Sequence, residues 1–99
     1  MKILAITACP TGVAHTYMAA ECLERTGVKL GHQIKVETQG AMGVENRFTD
    51  KEIQEADALI LASDIPVQGR ERFQGIAQVV EVPVQLAIKN PEKIFSQLQ

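Results

Sequence analysis

Four short apolar runs, spread along the whole chain, constrain the fold more than any other feature of the sequence. They occupy residues 2–8, 33–38, 58–63 and 78–84 and are bounded by turn residues. Runs of this kind are typical of strands buried on both faces of a parallel sheet. The segments between them have helical spacing, so the predicted order is βαβαβαβα. We therefore predict an α/β fold of three layers, with a mostly parallel four-stranded sheet and right-handed crossovers.

The first predicted helix spans 13–30 and carries an apolar face. Steps of three and four place six residues on the side that we expect to pack against the sheet. These are Met18, Ala19, Cys22, Leu23, Thr26 and Leu30. Gly31 follows at the C′ position, where a glycine commonly ends a helix.

The later helices are predicted from their capping residues. Thr49 is followed three residues later by Glu52, which is the spacing of a capping box. Pro91 suits the first turn of a final helix, because its missing N–H has no partner there in any case. The segment 64–75 is open between two predictions, a single helical turn near 70–73 and a loop over the sheet edge.

Composition and charge exclude two classes of partner. The formal net charge is -2, and Lys and Arg are scattered along the chain, whereas nucleic-acid binders usually show a basic stripe. The four aromatic residues provide no stacking platform for bases. No apolar run approaches the ~20 residues that a membrane-spanning helix needs. We therefore expect no nucleic-acid partner and no direct membrane insertion.

The two cysteines, Cys9 and Cys22, are too few for a disulfide framework and lack the spacing of zinc ligands. Cys22 falls about three turns into the first helix, which is too far from Cys9 for a disulfide. Separate thiols indicate a reducing compartment. We expect a cytoplasmic protein with no metal and no other cofactor, in which Cys22 serves packing.

Cys9 stands at the carboxyl end of the first predicted strand, a preferred place for ligands in open parallel sheets. Pro10-Thr11-Gly12 cannot continue the strand, because proline lacks an N–H group and glycine readily takes positive φ. The chain should therefore turn tightly and place the thiol over the N-terminus of the first helix. Backbone N–H groups from Thr11 to Thr16 would then favour both a thiolate and a phosphate.

The spacing in this loop is similar to that of cysteine-dependent protein tyrosine phosphatases. In their loop the cysteine is followed, after five residues, by arginine and then serine or threonine, and here the pair is His15-Thr16. Arginine presents a bidentate fork to phosphate, whereas histidine offers one directed donor per ring nitrogen. The loop is therefore suited to holding a phosphoryl group and less suited to phosphatase chemistry.

Each of these residues also has an ordinary structural interpretation. A cysteine at a strand end is often buried and inert. His15 can be a plain residue of the first helical turn, and Thr11 and Thr16 can cap backbone groups. The Cys-Pro-Thr-Gly turn favours the functional interpretation of Cys9, and the role of His15, catalytic or structural, stays open.

The string ITACPTGVAHTYMAAECLE at 6–24 resembles the fructose-type enzyme IIB component of the bacterial phosphoenolpyruvate-dependent sugar phosphotransferase system. The resemblance covers nearly the whole chain. It includes IKVETQG at 34–40, Asn46, Thr49, ADALILASD at 56–64, Arg72, Phe73 and Gly75. One departure is IAQVVEVP at 76–83, where members of the family carry a lysine-rich stretch. We expect it to affect partner contacts rather than transfer.

The resemblance implies a function for the loop. Family members accept a phosphoryl group from a phosphohistidine of a IIA partner, hold it on the loop cysteine, and pass it to a sugar bound by the membrane IIC component. On this basis Cys9 is the catalytic nucleophile, and the sugar is fructose or a fructose-like sugar. The implied phosphate-binding loop comprises Pro10, Thr11, Gly12, Val13, Ala14, His15 and Thr16. Residues 1–99 are expected to form a single, free-standing phosphotransferase IIB domain.

Three further residues are expected near this loop. Gln39 and Gly40 follow the second predicted strand, and Asp64 follows the third, at the edge of the sheet where Cys9 lies. They are candidates for a docking surface or for support of the phosphate, and ordinary loop positions are an equal alternative. Asp64 invites comparison with a phosphatase general acid, but a relay should not readily protonate its thiolate leaving group.

Two other functions stay open beside the relay. A small cysteine-dependent phosphatase would show steady turnover of a generic phosphomonoester. A phosphate-sensing module without enzymatic activity would still bind phosphate tightly after replacement of Cys9 by alanine.

Overall fold

The strand β1 (Lys2–Ala8) is the centre around which the fold is arranged. The computed structural model describes residues 1–9, 13–40 and 43–98. The elements that follow are α1 (Val13–Lys29), β2 (Gln33–Gly40), β3 (Gly43–Glu45), α2 (Asp50–Glu55), β4 (Ala58–Ser63), a 3₁₀ turn (Arg70–Phe73), β5 (Gln78–Val82), α3 (Val84–Lys89) and α4 (Pro91–Phe95).

Five strands form one sheet within the described ranges, in the order β3-β2-β1-β4-β5. β1 pairs in parallel with β2 on one side and with β4 on the other, and β5 extends the sheet in parallel from β4. The short strand β3 runs antiparallel to β2. The α/β fold with a mostly parallel sheet is therefore confirmed, and the count differs by one edge strand of three residues.

The boundaries of the long strands follow the predictions closely. β1 and β4 begin and end where the apolar runs do. β2 extends two residues beyond the predicted 33–38, to Gly40, because β3 pairs with its end through Gln39 with Val44 and Gly40 with Gly43.

The predicted strand 78–84 is wrong at its carboxyl end. β5 stops at Val82, and Val84 is the first residue of α3, a helix that was not predicted. Pro83 separates the two elements with φ -66° and ψ 152°, and without an N–H group it cannot extend the ladder. The apolar residues after it are buried as one face of a helix, through Val84 and Ala87.

Helix α1 packs on the sheet through a narrower stripe than predicted. Ala19, Leu23 and Thr26 are buried, whereas Met18 is 49% exposed and Leu30 is 46% exposed. Met18 lies one residue, or about 100° of helix rotation, from the line through Ala19 and Leu23, and Leu30 follows the last helical residue. Along the residues described, no helix is long and apolar enough to cross a membrane.

Both faces of the sheet are covered, as predicted for a three-layer fold. Ile3 and Ala5 of β1 join the core beneath α1, α3 and α4, and the alternate residues Leu4 and Ile6 join a second core on the opposite face. The second core is closed by Phe48, Leu59, Leu61, Phe73 and Ile76. The alternating side chains of β1 therefore contribute to both cores.

The capping box of α2 and the turn near residue 70 are both present. The Thr49 hydroxyl accepts a hydrogen bond from the Glu52 N–H at 3.2 Å, and the Glu52 carboxylate accepts one from the Thr49 N–H at 2.7 Å. The open segment 64–75 contains one 3₁₀ turn, Arg70–Phe73, with Phe73 buried. The turn therefore lies on the sheet face and not beyond its edge.

Candidate functional site

Cys9 follows the central strand directly and is only 6% exposed. The register of β1 places Ala8 opposite Gln39 of β2 and opposite Ser63 of β4. The N–H of Asp64 continues this pairing by donating to the Ala8 carbonyl at 3.2 Å. The ends of three parallel strands therefore meet around the thiol, as expected for ligand binding in this class of fold.

An open cavity of about 320 Å³ has Cys9 in its lining. One wall belongs to the hairpin of β2 and β3, and the other belongs to the loop that follows β4. The residues that share this lining are Gln39, Gly40, Gly43, Val44, Ile65, Pro66 and Gln68. Two predicted residues, Gln39 and Gly40, thus line the same cavity as the thiol, and Gln39 is 5% exposed.

His15 lies beside Cys9, in the first turn of α1. Its Nδ1 is 4.0 Å from the Cys9 Sγ, and its side chain is exposed to solvent. Ala14 is exposed in the same turn. The turn begins at Val13, and the predicted loop residues Pro10, Thr11 and Gly12 lie outside the described residues.

Thr16 carries a buried hydroxyl whose hydrogen-bonding capacity is unused. The residue is 2% exposed, and among the described residues its Oγ1 is the buried side-chain oxygen that has no hydrogen-bond partner. Its own backbone carbonyl accepts from the Thr7 hydroxyl at 3.0 Å. The Thr16 Oγ1 faces Gly40, 3.8 Å from the position that a Cβ would take there. A buried polar group without a partner costs about 1–3 kcal/mol, so this hydroxyl indicates a place for a ligand.

Asp64 has a structural partner that the sequence did not reveal. Its carboxylate accepts a hydrogen bond from the Val84 N–H at 3.2 Å, which supplies the cap that Pro83 cannot provide at the start of α3. Its N–H bond to Ala8 ties the same residue to β1. The contacts described for Asp64 thus join β1 to α3.

Asp64→Ala is expected to lower the free energy of unfolding by about 1 kcal/mol, as the loss of a helix cap commonly does. Asp64→Asn keeps an oxygen at the same place and is expected to behave like the wild type. Urea unfolding followed by circular dichroism measures both variants. Equal destabilisation by the asparagine variant would contradict a capping role and point to the charge instead.

An ion pair with a buried carboxylate contacts Gln39 of the cavity lining and was not predicted. Glu37 of β2 is 0% exposed, and its carboxylate accepts two hydrogen bonds from the Arg72 guanidinium at 3.0 and 2.9 Å. It also accepts from the Gln39 amide at 2.9 Å and from the Phe48 N–H at 3.1 Å. One signal in the sequence was available, since a glutamate in the middle of a buried strand requires a partner.

These contacts determine the ionisation of the pair. Burial acts to raise the pKa of Glu37, but the hydrogen bonds from Arg72, Gln39 and Phe48 outweigh it and hold the pKa below its ordinary value. The hydrogen bond with Glu37 in turn raises the pKa of Arg72. The carboxylate and the guanidinium are therefore both charged at neutral pH.

Tyr17 links the first turn of α1 to the hairpin wall of the cavity. Its hydroxyl donates to the Glu45 carboxylate of β3, and this hydrogen bond raises the pKa of Tyr17. The Tyr17 side chain is 41% exposed. The link therefore lies at the surface, and neither residue is among the described residues that line the cavity.

Comparison with known proteins gives a consistent assignment. The family model described as "PTS system, Lactose/Cellobiose specific IIB subunit" matches residues 4–97, where PTS denotes the phosphotransferase system. The "PTS system fructose-like EIIB component 2" of Escherichia coli (strain K12) is 47% identical over 98 residues, which cover 99% of this chain and 92% of that protein. A crystal structure of a domain from the fructose-specific iiabc component of Borrelia burgdorferi has a TM-score of 0.90 at 46% identity, covering 96% of this chain and 89% of that chain.

A longer relative matches over one part of its length. The "Fructose-like PTS system EIIBC component" of Escherichia coli (strain K12) is 52% identical over 100 residues, which cover 99% of this chain and 20% of that protein. The chain thus spans about a fifth of this relative. Because the family model and the relatives cover almost the whole of this chain, it belongs to the IIB family of the sugar phosphotransferase system and is similar, within that family, to the fructose-like components.

Proposed function

We propose that this chain relays a phosphoryl group through Cys9 during sugar uptake. The observation that carries the proposal is the placement of one thiol in the lining of an open cavity, at the end of the central strand and 4.0 Å from His15 in the first turn of α1. Family membership supports a role in the sugar phosphotransferase system. The presence of histidine where the phosphatase loop has arginine disfavours the alternative of a phosphatase.

The relay consists of two substitutions at phosphorus. In the first, the Cys9 thiolate attacks the phosphoryl group of a phosphohistidine on a IIA partner, the S–P bond forms, and the N–P bond breaks with its electron pair on the imidazole nitrogen. In the second, a hydroxyl oxygen of the sugar attacks phosphorus, and the S–P bond breaks with its electron pair on sulfur. The hydroxyl proton leaves to a base. Positioning and charge stabilisation supply most of the catalysis in such transfers.

The first turn of α1 supplies donors for the phosphoryl oxygens. A helix of 17 residues presents unpaired N–H groups and a partial positive charge at its N-terminus. We assign the phosphate-binding loop to residues 10–16, with the Thr16 hydroxyl as a donor to one phosphoryl oxygen. We assign to the His15 ring a second donor role, toward another phosphoryl oxygen, which its 4.0 Å distance from the Cys9 Sγ supports.

The proposed partners follow from the family. One relative combines components B and C in its name, and the Borrelia domain comes from a component that combines A, B and C. We assign a IIA phosphohistidine protein as the donor and a IIC membrane transporter as the holder of the acceptor, a fructose or fructose-like sugar. We place the relay in the cytoplasm, where Cys9 and Cys22, which form no disulfide within the described residues, remain thiols.

Chemical lability of the label tests the proposal. The chain is incubated with ³²P-labelled phospho-IIA and separated from it. The expected label is stable in alkali and released by iodine, which cleaves a phosphocysteine and leaves a phosphohistidine. An iodine-resistant label on His15, or no transfer at all, would overturn the proposal.

Thr16→Val is expected to slow phosphoryl transfer without lowering the free energy of unfolding. Valine keeps the shape and removes the hydroxyl, so phosphorylation by phospho-IIA should slow by roughly 10²-fold, the effect of losing one donor to a developing charge. The free energy of unfolding should not fall, because the variant also removes a buried hydroxyl that lacks a protein partner. Thr16→Ser retains the donor and is the matched control. A Thr16→Val protein that accepts phosphate at the wild-type rate would exclude the hydroxyl from the site.

A further inference from the structure

The loop after β4 forms one wall of the Cys9 cavity although it has no regular secondary structure. Ile65, Pro66 and Gln68 of this loop line the cavity. Near its start, the Ser63 hydroxyl accepts from the Ile65 N–H at 3.2 Å and donates to the Ile65 carbonyl. Local bonds of this kind fix the beginning of the loop, but they do not hold its far end against the cavity.

Gln39 of β2 holds the far end of this wall. The Gln68 N–H donates to the Gln39 Oε1 at 2.8 Å, and the Gln39 Nε2 donates to the Gln68 carbonyl at 3.0 Å. The side-chain amide thus pairs with both polar groups of one backbone residue, in the way that a neighbouring strand would. Because Gln39 and Gln68 belong to opposite walls of the cavity, this pair of hydrogen bonds joins the two walls.

Arg72 holds the same end of the wall through hydrogen bonds to two backbone carbonyls. Its Nη2 donates to the Gln68 carbonyl at 3.2 Å, and its Nε donates to the Gly69 carbonyl at 2.8 Å. Its two Nη atoms also donate to Glu37, which in turn accepts from the Gln39 amide. Glu37, Gln39 and Arg72 therefore form one connected network, called here the clamp.

Gly69 allows the backbone of the loop to lie directly against the Arg72 guanidinium. Its φ of 71° lies in the left-handed region that favours glycine. A Cβ on Gly69 would lie 2.6 Å from the Arg72 Nε, so a larger residue would push the guanidinium away from the loop. The backbone at this turn is thus fitted to the arginine side chain.

Stability alone does not explain a clamp made of buried charge. A buried ion pair often contributes no more to stability than apolar residues of the same volume. Here the pair and the amide are directed at the backbone of one loop, whose other face lines the cavity with Cys9. We propose that Glu37, Gln39 and Arg72 are positioning residues, which hold the loop of Ile65 to Gln68 as a wall that keeps water from Cys9 and from a phosphoryl group bound there.

The part of this inference that concerns the phosphoryl group rests on the proposed function. The reaction that the wall would suppress is hydrolysis. In it a water oxygen attacks phosphorus, the S–P bond breaks with its electron pair on sulfur, and a proton of the water passes to solvent, which leaves inorganic phosphate and the Cys9 thiolate. A relay loses its phosphoryl group whenever this reaction precedes transfer to the sugar.

The first arm of the test measures access to the thiol and does not depend on the proposed function. Gln39→Met keeps the length of the side chain but removes both bonds to Gln68. In a Cys22→Ala background, the rate at which iodoacetamide alkylates Cys9 is expected to rise about 10-fold, because a wall that is no longer held admits solvent and reagent. Gln54→Met, on the exposed side of α2, is the matched control and should react at the wild-type rate.

The second arm measures the lifetime of the phosphoprotein. The proteins are phosphorylated by phospho-IIA, isolated, and followed by ³¹P NMR. Gln39→Met is expected to lose phosphate about 10-fold faster than the wild type, in keeping with the large effect of small displacements in a reaction site. Arg72→Lys keeps the charge beside Glu37 but loses the planar fork, and it should fall between the two.

The outcomes separate the two proposals. Faster alkylation and faster loss of phosphate in both clamp variants, measured at a temperature where circular dichroism shows them folded, would support the clamp. Wild-type rates of alkylation in Gln39→Met and Arg72→Lys would overturn it, whatever the phosphorylation result. If the clamp variants are alkylated faster than the wild type but none of the proteins, wild type included, acquires phosphate, the wall would be established and the proposed function overturned.

Discussion

Replacement of Cys9 by alanine is expected to abolish phosphorylation by phospho-IIA, down to the background of a sample without the chain. In the proposed relay the S–P bond has no substitute, because His15, whose Nδ1 lies 4.0 Å from the Cys9 Sγ, serves as a donor to the phosphoryl oxygens. Autoradiography of the separated protein, or the intact mass, measures the loss. The fold should survive, since the change removes a single sulfur atom from the core.

Cys22→Ala provides the control for this result. Cys22 lies in α1 and is partly buried, whereas Cys9 is buried. Its replacement removes a thiol that does not belong to the described lining of the cavity. It should be labelled to the same extent as the wild type. A label that persists in Cys9→Ala and disappears in Cys22→Ala would show that Cys22, and not Cys9, carries the phosphoryl group.

Arg72→Met is expected to lower the free energy of unfolding by about 3–5 kcal/mol at neutral pH, because it leaves a buried carboxylate without its counter-charge. Glu37 is 0% exposed and would keep only the hydrogen bonds from Gln39 and Phe48. Urea unfolding measures the change. Arg70→Met, in the same 3₁₀ turn, removes an ion pair with Glu81 whose side chains are 56% and 58% exposed. This control should cost at most about 1 kcal/mol.

The stability difference between Arg72→Met and the wild type is expected to shrink as the pH falls. In the wild type the pKa of Glu37 is lowered by folding. The stability that the carboxylate provides is therefore present above its unfolded pKa and is lost as the pH falls through the folded pKa. Without the guanidinium, burial should dominate and raise the pKa of Glu37, so the variant should approach the wild type in stability as the pH falls. A deficit that is constant from neutral to acidic pH would show that lost packing, and not the uncompensated charge, causes it.

The parts of the fold that could be predicted are those in which a local pattern and the tertiary structure agree. The strands at 2–8 and 58–63 are apolar because both faces are buried, so the pattern gave their exact bounds. The start of α2 was fixed by side-chain hydrogen bonds three residues apart, which the sequence displays directly. β3 has three residues and forms through its pairing with β2, so no local sequence pattern predicts it. α3 could not be predicted for a similar reason, because the Val84 N–H at its start is capped by Asp64, which lies twenty residues earlier in the chain.

The candidate site divides in the same way. Cys9 and His15 could be placed together because a strand end, a turn and a helix start determine where both lie, and the structure brings them to 4.0 Å. The approach of Gln39 to Gln68, 29 residues later, depends on which strands are neighbours and on their register. Sequence spacing carries no such information. The glutamate in a buried strand and the later arginine were both visible, and only the fold shows that they are partners.

The central position of β1 has a consequence for motion. A strand that is paired on both sides can exchange its amide hydrogens only when most of the sheet opens, whereas loops exchange through local fluctuations. The thiol is therefore attached to the part of the molecule that opens last, and the wall opposite it belongs to a part that can open by itself. If Cys9 is phosphorylated as proposed, its sulfur stays with the part that opens last, and opening of the wall loop against the clamp of Glu37, Gln39 and Arg72 sets its exposure to a donor, an acceptor or water.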